Sequence, residues 1–286
     1  MTFNHLAVLK SLETLKFINK PDNIINLGVQ TLTVSSNHIN HIIKNNLCQQ
    51  ELFPQLIKLK EKFKNNKKVS TGDFFKTIGF SDYQSIDINE EENSLPFDLN
   101  TVIEDTYGYK KQYDLVINNG TGEHVFNQFS LFKNMHNLCK KNGIMLHIYP
   151  FIDWINHGFY CLQPIAFADV SAANNYEILK ISFGNSNGAE VSYNIELNQL
   201  FGQLKPNDSK SDIFKMMEFA KKHLDKNIQV VSILKKKSSN EFIIPLQGKY
   251  LSDVKSLNKN NIYQNQKVGS SKAIGQIPDN NKRKIN

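Results

Sequence analysis

A carboxylate and an imidazole stand side by side in the segment YDLVINNGTGEH, directly after a short apolar run. They belong to Glu123 and His124. The imidazole of histidine exchanges protons near neutral pH, and a neighbouring carboxylate can orient a substrate or accept the proton itself. The pair could therefore take a proton from a bound substrate. The alternative is structural, with Glu123 capping the helix that follows and His124 packed and hydrogen-bonded in the core.

Further side chains of the metal-ligating types lie in the segment HIYPFIDWINHGFY. His147, Asp153 and His157 could coordinate a divalent ion, and Asp153 and His157 are spaced to share one face of a helix. Aromatic packing beside a polar turn explains the same residues, and we favour it, so the sequence predicts no metal site. His38 and His41 are interpreted as surface histidines. No GxSxG, GxxxxGKS/T or HExxH motif is present, which argues against the common hydrolase, NTPase and metalloprotease sites.

Strands and helices that alternate along the chain must position these residues. The alternation predicts an α/β fold with a mostly parallel central sheet and helices on both faces. We predict strands over 24–28, 83–89, 94–100, 113–119, 142–151, 177–184 and 228–237, and helices near the N-terminus and over 50–65 and 125–140.

Three residues that could contact a ligand lie at the ends of the first three predicted strands, and parallel sheets bind ligands at these ends. Gly28 lets a ligand approach the backbone, because it has no side chain. Asp87 can accept hydrogen bonds from both hydroxyls of a ribose, and Asp98 from an adenine amino group. The alternative is a turn glycine and two exposed loop acids.

In this order the segments resemble those of class I S-adenosylmethionine-dependent methyltransferases. IINLGVQ resembles the first motif of that family, SIDIN the acidic second-strand motif and PFDLN the third motif. YDLVINNGTGEH resembles the fourth strand and the Glu-His segment that often follows it. The resemblance spans roughly 22–151 and the strands to about 237, and it implies a Rossmann-like methyltransferase fold.

The resemblance implies that S-adenosyl-L-methionine is the cofactor. Asp87 would hold its ribose and Asp98 would lie near its adenine, while Asn118 and Gly120 would line its methionine end. The cofactor-binding residues would be Gly28, Gln30, Asp87, Asp98, Asn118 and Gly120.

The resemblance also places Glu123 and His124 beside the methyl group that is transferred. His124 would then be the general base for the acceptor, and Glu123 a base or an orienter of the substrate.

GVQTL keeps one glycine where the family usually has two or three, and Asp87 lies further from Gly28 than the roughly 20 residues usual in dinucleotide sites. A helical insertion over about 45–80 is therefore predicted. The alternative function is a non-catalytic binding or assembly module on a degenerate methyltransferase fold.

The distribution of charge indicates the class of acceptor. The net charge is +7, but seven Lys or Arg and two Asp lie from Ser252 onward, so +5 of it belongs to that segment. Arg283 is the single arginine, which argues against nucleic-acid binding by the body of the chain. We expect a small polar acceptor such as a sugar or sugar nucleotide. HGFYCLQPIAFADVSAANNYEI resembles methyltransferase-like proteins of bacterial surface-polysaccharide loci.

The expected organisation is an N-terminal helix over 1–20, a methyltransferase-like α/β domain over 21–250 and a basic, low-complexity, disordered tail over 251–286.

No apolar run approaches the roughly 18 residues of a membrane span, and the N-terminal segment lacks the features of a signal peptide. We therefore expect a cytoplasmic protein. The three cysteines are far apart and indicate no disulfide framework. The sequence leaves the oligomeric state open.

Overall fold

The computed structural model describes residues 2–64, 69–191, 222, 224 and 226–246. Its strands are β1 (Thr2–Phe3), β2 (Asn23–Leu27), β3 (Thr31–Leu32), β4 (Asp82–Ile86), β5 (Tyr113–Asn119), β6 (Cys139–Ile152), β7 (Tyr176–Gly184), β8 (Glu190–Val191) and β9 (Ile228–Lys236). Its α-helices are α1 (His5–Thr14), α2 (Ser36–Lys44), α3 (Phe53–Lys64), α4 (Thr71–Thr77), α5 (Ile103–Tyr107), α6 (Gln128–Leu138) and α7 (Pro164–Asn174). The tail predicted over 251–286 lies outside the described residues.

A seven-stranded sheet in the order β4-β2-β5-β6-β9-β7-β8 forms the centre of the molecule. The pairs β4-β2, β2-β5 and β5-β6 are parallel, whereas β9 runs antiparallel between β6 and β7. Residues of α1 to α4 pack on one face of this sheet and residues of α5 to α7 on the other. The expected α/β fold with a mostly parallel sheet and helices on both faces is confirmed.

The strand predicted over 94–100 does not form. Leu95 makes an isolated parallel bridge to Ile86, and the N–H of Phe97 turns back to the carbonyl of Leu95 at 2.8 Å. Pro96 lies between them and has no N–H with which to extend a ladder. The chain therefore leaves the edge of the sheet after one bridge.

The strand order creates a switch point between β2 and β5. From β2 the chain moves to one side of the sheet to form β4, and then crosses to the other side to form β5 and β6. In doubly wound sheets a crevice opens at the carboxyl ends of the strands where the order reverses, and ligands bind there. Leu27 pairs with Asn118 at this edge, so the loop after β2 and the loop after β5 meet.

A network of ion pairs joins α1 to β7 and β8 at one edge of the sheet, with Lys10 buried and the other three charged residues half-buried. The ammonium of Lys10 lies 2.5 Å from carboxylate oxygens of both Glu13 and Glu190. Lys180 contacts the same two carboxylates at 3.0 and 2.9 Å, and Ser182 donates to Glu190 at 2.5 Å. This part of the N-terminal segment is therefore integrated with β7 and β8. The division of the chain at about 20 and 250 stays a prediction.

We expect Lys10→Met to lower the free energy of unfolding by about 3 kcal/mol, the lower end of the range for breaking a buried pair, because Lys180 remains. Burial alone raises the pKa of Glu190, but Lys10 and Lys180 outweigh it and hold that pKa below its usual value. A lowered folded-state pKa stabilises the protein above the unfolded-state pKa, and this stabilisation is lost as the pH falls through the folded-state pKa. The difference between variant and wild type should therefore shrink on acidification.

Urea unfolding from pH 7 down to pH 3 measures this effect. Lys58→Met is the control, because Lys58 is an exposed residue of α3. If the Lys10 and Lys58 variants were equally stable at pH 7, the network would not stabilise the fold.

Candidate functional site

The loop after β2 is held by the acid that follows β4. Gly28 has φ +79° and donates its N–H to the carbonyl of Ile86 at 2.7 Å. One carboxylate oxygen of Asp87 accepts from the N–H of Val29 at 3.0 Å, and the other accepts from the N–H of Asn89 at 3.0 Å. A carboxylate offers about four acceptor positions, so each oxygen keeps a position for a ligand. The structure thus brings the predicted residues Gly28 and Asp87 together.

Gln30 joins the loop after β2 to the last residue of β5. Its buried amide donates to the carbonyl of Asn119 and accepts from the Asn119 side chain at 2.8 Å. The same Asn119 amide donates to the carbonyl of Thr2 at 3.2 Å, and the Thr121 hydroxyl donates to Leu27 at 2.5 Å. These bonds use the side-chain polar groups of Gln30 and Asn119 within the chain itself, next to the predicted cofactor-binding residues Asn118 and Gly120.

Asp98 lies in the loop between β4 and α5. Its Oδ1 accepts from the backbone and side-chain amides of Asn100 at 2.8 and 3.0 Å. Asn100 in turn accepts two hydrogen bonds from Asn127, each 3.0 Å long. The half-buried Asp98 therefore belongs to a loop that is fastened to the start of α6. The hydrogen bonds described for its side chain stay within this loop.

The turn after β5 is held by Gly122, Gln128 and Tyr149. The sequence indicated no such role for Gly122 and Gln128, and it placed Tyr149 only in the aromatic segment HIYPFIDWINHGFY. Gly122 leaves no room for a side chain, since a Cβ there would lie 2.0 Å from the Tyr149 hydroxyl oxygen. Asn118 Oδ1 accepts from the N–H of Gly122 at 2.8 Å, and Gln128 donates to its carbonyl at 2.7 Å. Tyr149 completes the arrangement by donating to Gln128 at 3.1 Å. Gly120 enters this turn with φ +69°. The GTG sequence was the one available signal for such packing.

Glu123 and His124 occupy the short 3-10 helix Gly122–His124 and meet His157. The side chain of Glu123 is 1% exposed, and its Oε1 lies 3.4 Å from Nε2 of His157. The rings of His124 and His157 are 5.0 Å apart, and both side chains are exposed. Asn127 caps α6, so Glu123 is not its cap, and His124 is not a core histidine.

Burial dominates the electrostatics of this cluster. It raises the pKa of Glu123 to about 7, against the smaller opposing effect of the residue's own backbone N–H. Burial, followed by the neighbouring His157, lowers the pKa of His124. The cluster consequently offers a buried carboxyl group beside exposed imidazoles, a combination able to transfer protons or to ligate a metal ion.

The residues predicted as an alternative metal set are not brought together. His147 is fully buried on β6 between the rings of Phe132 and Phe167, and burial lowers its pKa to about 3. Asp153 is exposed with φ +64°, and the segment that follows it is not helical, so Asp153 and His157 do not share a helix face.

An aromatic patch formed by Phe126, Phe159 and Tyr160 borders the Glu123–His124–His157 cluster. Phe126 is 69% exposed and Phe159 64%, and their rings meet edge to face at 5.5 Å. The Tyr160 hydroxyl donates to the carbonyl of Phe126 at 2.9 Å, which fixes the patch beside the cluster. Exposed aromatic rings of this kind offer flat surfaces for a ligand.

A cavity of about 230 Å³ opens near the loop after β2. It is lined by Gln30, Thr31, Leu32, Val34, Phe63, Val69, Ser70 and Glu92. Its wall thus includes the loop after β2 and the segment leading into α4, so this space is next to Gln30.

Neither a known protein-family model nor a curated protein matches this chain. Solved structures similar to it include a SAM-dependent methyltransferase from Archaeoglobus fulgidus, with 14% identity, a TM-score of 0.42 and coverage of 81% of this chain and 94% of the other. Another is the O-methyltransferase of a trans-AT PKS multienzyme of Brevibacillus brevis in complex with S-adenosyl-L-homocysteine, with 11% identity, a TM-score of 0.37 and coverage of 96% and 83%. Similarity at TM-scores this low carries no information about the function of this chain.

No helix in the described ranges combines the length and the apolar character needed to cross a membrane.

Proposed function

We propose that this chain is an S-adenosyl-L-methionine-dependent methyltransferase that acts on a small polar acceptor, such as a sugar or sugar nucleotide. The observation that carries the proposal is the meeting of Gly28 and Asp87 at the switch point of the sheet, one strand away from the Glu123–His124 turn. A ligand that spans this crevice would contact the carboxylate of Asp87 at one end and the proton acceptors of the Glu123–His124 turn at the other.

The chemistry of the side chains fits the adenosine half of the cofactor. Each Asp87 oxygen keeps an acceptor position, and a ribose diol needs two acceptors. Asp98 would receive the adenine amino group, and Gly28 allows close approach of the backbone. At the methionine end, Asn118 and Gly120 would line the site.

Gln30 would contact the cofactor only after its hydrogen bonds with Asn119 had opened. That rearrangement also affects the N-terminal strand, because Asn119 is bonded to Thr2. This need for rearrangement favours the second candidate function, a non-catalytic binding or assembly module on the same fold.

When bound, the cofactor supplies an electrophilic methyl group. This chain's part is then to align the acceptor in line with that group and to exclude water. His124 would take the proton of the acceptor hydroxyl as general base, and Glu123 would orient the acceptor or share the proton. The aromatic patch would hold the flat face of the acceptor beside them.

Charge supports a small acceptor. The residues before Ser252 carry a net charge close to neutral and contain no arginine, which disfavours nucleic acids and highly phosphorylated partners. The assignment to a polysaccharide pathway and to the cytoplasm rests on the sequence resemblance and the sequence features alone.

Calorimetric titration with S-adenosyl-L-homocysteine tests the proposal. We expect Asp87→Ala to weaken binding by about 1.5–3 kcal/mol, the range for losing charge-assisted hydrogen bonds. Asp82→Ala is the matched control. Asp82 is the first residue of β4, at the end of that strand opposite to Asp87, and it pairs with Lys111 near the surface.

Thermal unfolding of both variants must accompany the titration, because Asp87 also accepts the N–H of Val29. Wild-type protein that gives no heat at high micromolar ligand would contradict the proposal and favour the non-catalytic module.

A further inference from the structure

Three side chains of metal-ligating type converge at the turn after β5. One ligand atom from each of Glu123, His124 and His157 lies within 4.8 Å of the other two. Two ligands that are each about 2.1 Å from a tetrahedral zinc ion lie about 3.4 Å apart. The Glu123 Oε1 to His157 Nε2 distance is already 3.4 Å. The exposed His124 ring needs only a small side-chain movement to complete the set.

The carboxylate of Glu123 points independently to a ligand. Its side chain is 1% exposed, and its Oε2 has no hydrogen-bond partner among the described residues. A buried polar atom without a partner is costly, and a bound ion is one of the ways in which native proteins satisfy such an atom. A cation at the cluster would provide the missing interaction for this carboxylate.

The backbone around the cluster is held in place before any ion arrives. The N–H of Phe159 donates to the carbonyl of Glu123 at 2.8 Å, so the loop with His157 is fastened to the turn. A Cβ on Gly158 would lie 3.0 Å from both Cγ and the carbonyl oxygen of Glu123, so a larger residue there would push this loop away from the turn by a few tenths of an ångström. On its other side the turn is held by Asn118, Gln128 and Tyr149, as described above. Preorganisation of this kind lowers the entropic cost of binding.

We propose that Glu123, His124 and His157 bind one divalent transition-metal ion. Two imidazoles and one carboxylate are a ligand set typical of Zn²⁺, Fe²⁺ and Co²⁺, and three protein ligands leave coordination positions open, as in catalytic sites. His124 and His157 are both exposed, so a substrate could reach the ion. This inference goes beyond the proposed function and does not depend on it.

One consequence does rest on the proposed function. A hydroxyl group bound to such an ion loses its proton more readily than a free hydroxyl. The acceptor would then be activated by coordination, and Glu123 and His124 would serve as ligands.

The test uses the full chain without added histidines, stripped with chelator and titrated with Zn²⁺ by calorimetry and with Co²⁺ by visible absorption. We expect saturable binding of one ion per chain and a rise in the unfolding temperature. His157→Ala and His124→Ala should weaken binding more than the roughly 10–100-fold that loss of an outer-shell partner costs. Both side chains are exposed, so folding should not be affected.

His41→Ala is the matched control, because His41 is an exposed histidine on α2 outside the cluster, and its variant should bind like wild type. Gly158→Ala should weaken binding while every ligand is kept. The proposal is overturned if wild type shows no saturable binding, or if His157→Ala binds the ion as tightly as wild type. A separate titration of the same stripped protein with S-adenosyl-L-homocysteine tests cofactor binding. Its result distinguishes failure of the proposed function from failure of the metal site.

Discussion

His124→Ala is expected to lower turnover of an identified acceptor by about 10²–10⁴-fold, the usual contribution of a positioned proton-transfer group. Its affinity for S-adenosyl-L-homocysteine should stay unchanged, because the proposed function assigns His124 to the acceptor and not to the cofactor. The side chain is exposed, so its removal should leave the fold intact. A loss of turnover without a loss of cofactor affinity assigns His124 to the chemical step.

The measurement requires an acceptor, which a screen of hydroxylated small molecules with methyl-labelled cofactor would provide. Sugars and sugar nucleotides come first in that screen. Glu123→Gln keeps the size of the buried side chain and removes its charge, so it should show the same pattern if Glu123 is essential. Should both variants retain wild-type turnover, Glu123 and His124 would have no part in catalysis.

Chelation separates the two ways in which the cluster could act. If Glu123, His124 and His157 activate the acceptor through an ion, chelator should abolish wild-type turnover and Zn²⁺ or Co²⁺ should restore it. If His124 is a metal-free base, chelator should have no effect, and His157→Ala should be much milder than His124→Ala. Comparison of these two variants with and without chelator decides between the roles.

Gly122→Ala is expected to lower the free energy of unfolding by about 3 kcal/mol, the upper end of the range for overpacking. Its new Cβ would lie 2.0 Å from the Tyr149 hydroxyl oxygen, 2.6 Å from Asn118 Nδ2 and 2.6 Å from Leu131 Cδ2. All three neighbours are buried, so none can move into solvent. Removal of these overlaps requires displacement of the turn that carries Glu123 and His124. We therefore expect the affinity for the metal ion to fall as well.

Urea unfolding measures the stability, and a double-mutant cycle with Tyr149→Phe supplies the control. Tyr149→Phe alone should cost about 1 kcal/mol through loss of its hydrogen bond to Gln128. In the Gly122→Ala variant, Tyr149→Phe removes the hydroxyl oxygen that the new Cβ overlaps most closely. Tyr149→Phe should therefore be neutral or stabilising in that variant, so the two substitutions together should cost less than the sum of their separate effects. Gly122→Ala protein as stable as wild type would show that the turn has more freedom than this packing implies.

The amino-acid sequence by itself determined most of the sheet. The segments predicted at 24–28, 113–119, 177–184 and 228–237 each match a strand within about one residue. β2, β5 and β9 are almost wholly buried, and strands buried on both faces need mostly apolar stretches, whereas β7 is largely half-buried. Their alternation with helical patterns was enough to predict the α/β class. The positions of Gly28, Asp87 and the Asn118–Gly120 turn at strand ends followed from the same pattern, since strand ends in a parallel sheet share one edge.

Only the tertiary structure decided which of these residues meet. His157 is distant from Glu123 in sequence, and their contact depends on the Phe159–Glu123 hydrogen bond and on the missing side chain of Gly158. The Gln30–Asn119 pair joins two loops that are likewise remote in sequence. Local periodicity reports burial and secondary structure, but it carries no information about which loops cross at a sheet edge. The arrangement of the site was therefore set by long-range packing, which no single segment of the chain encodes.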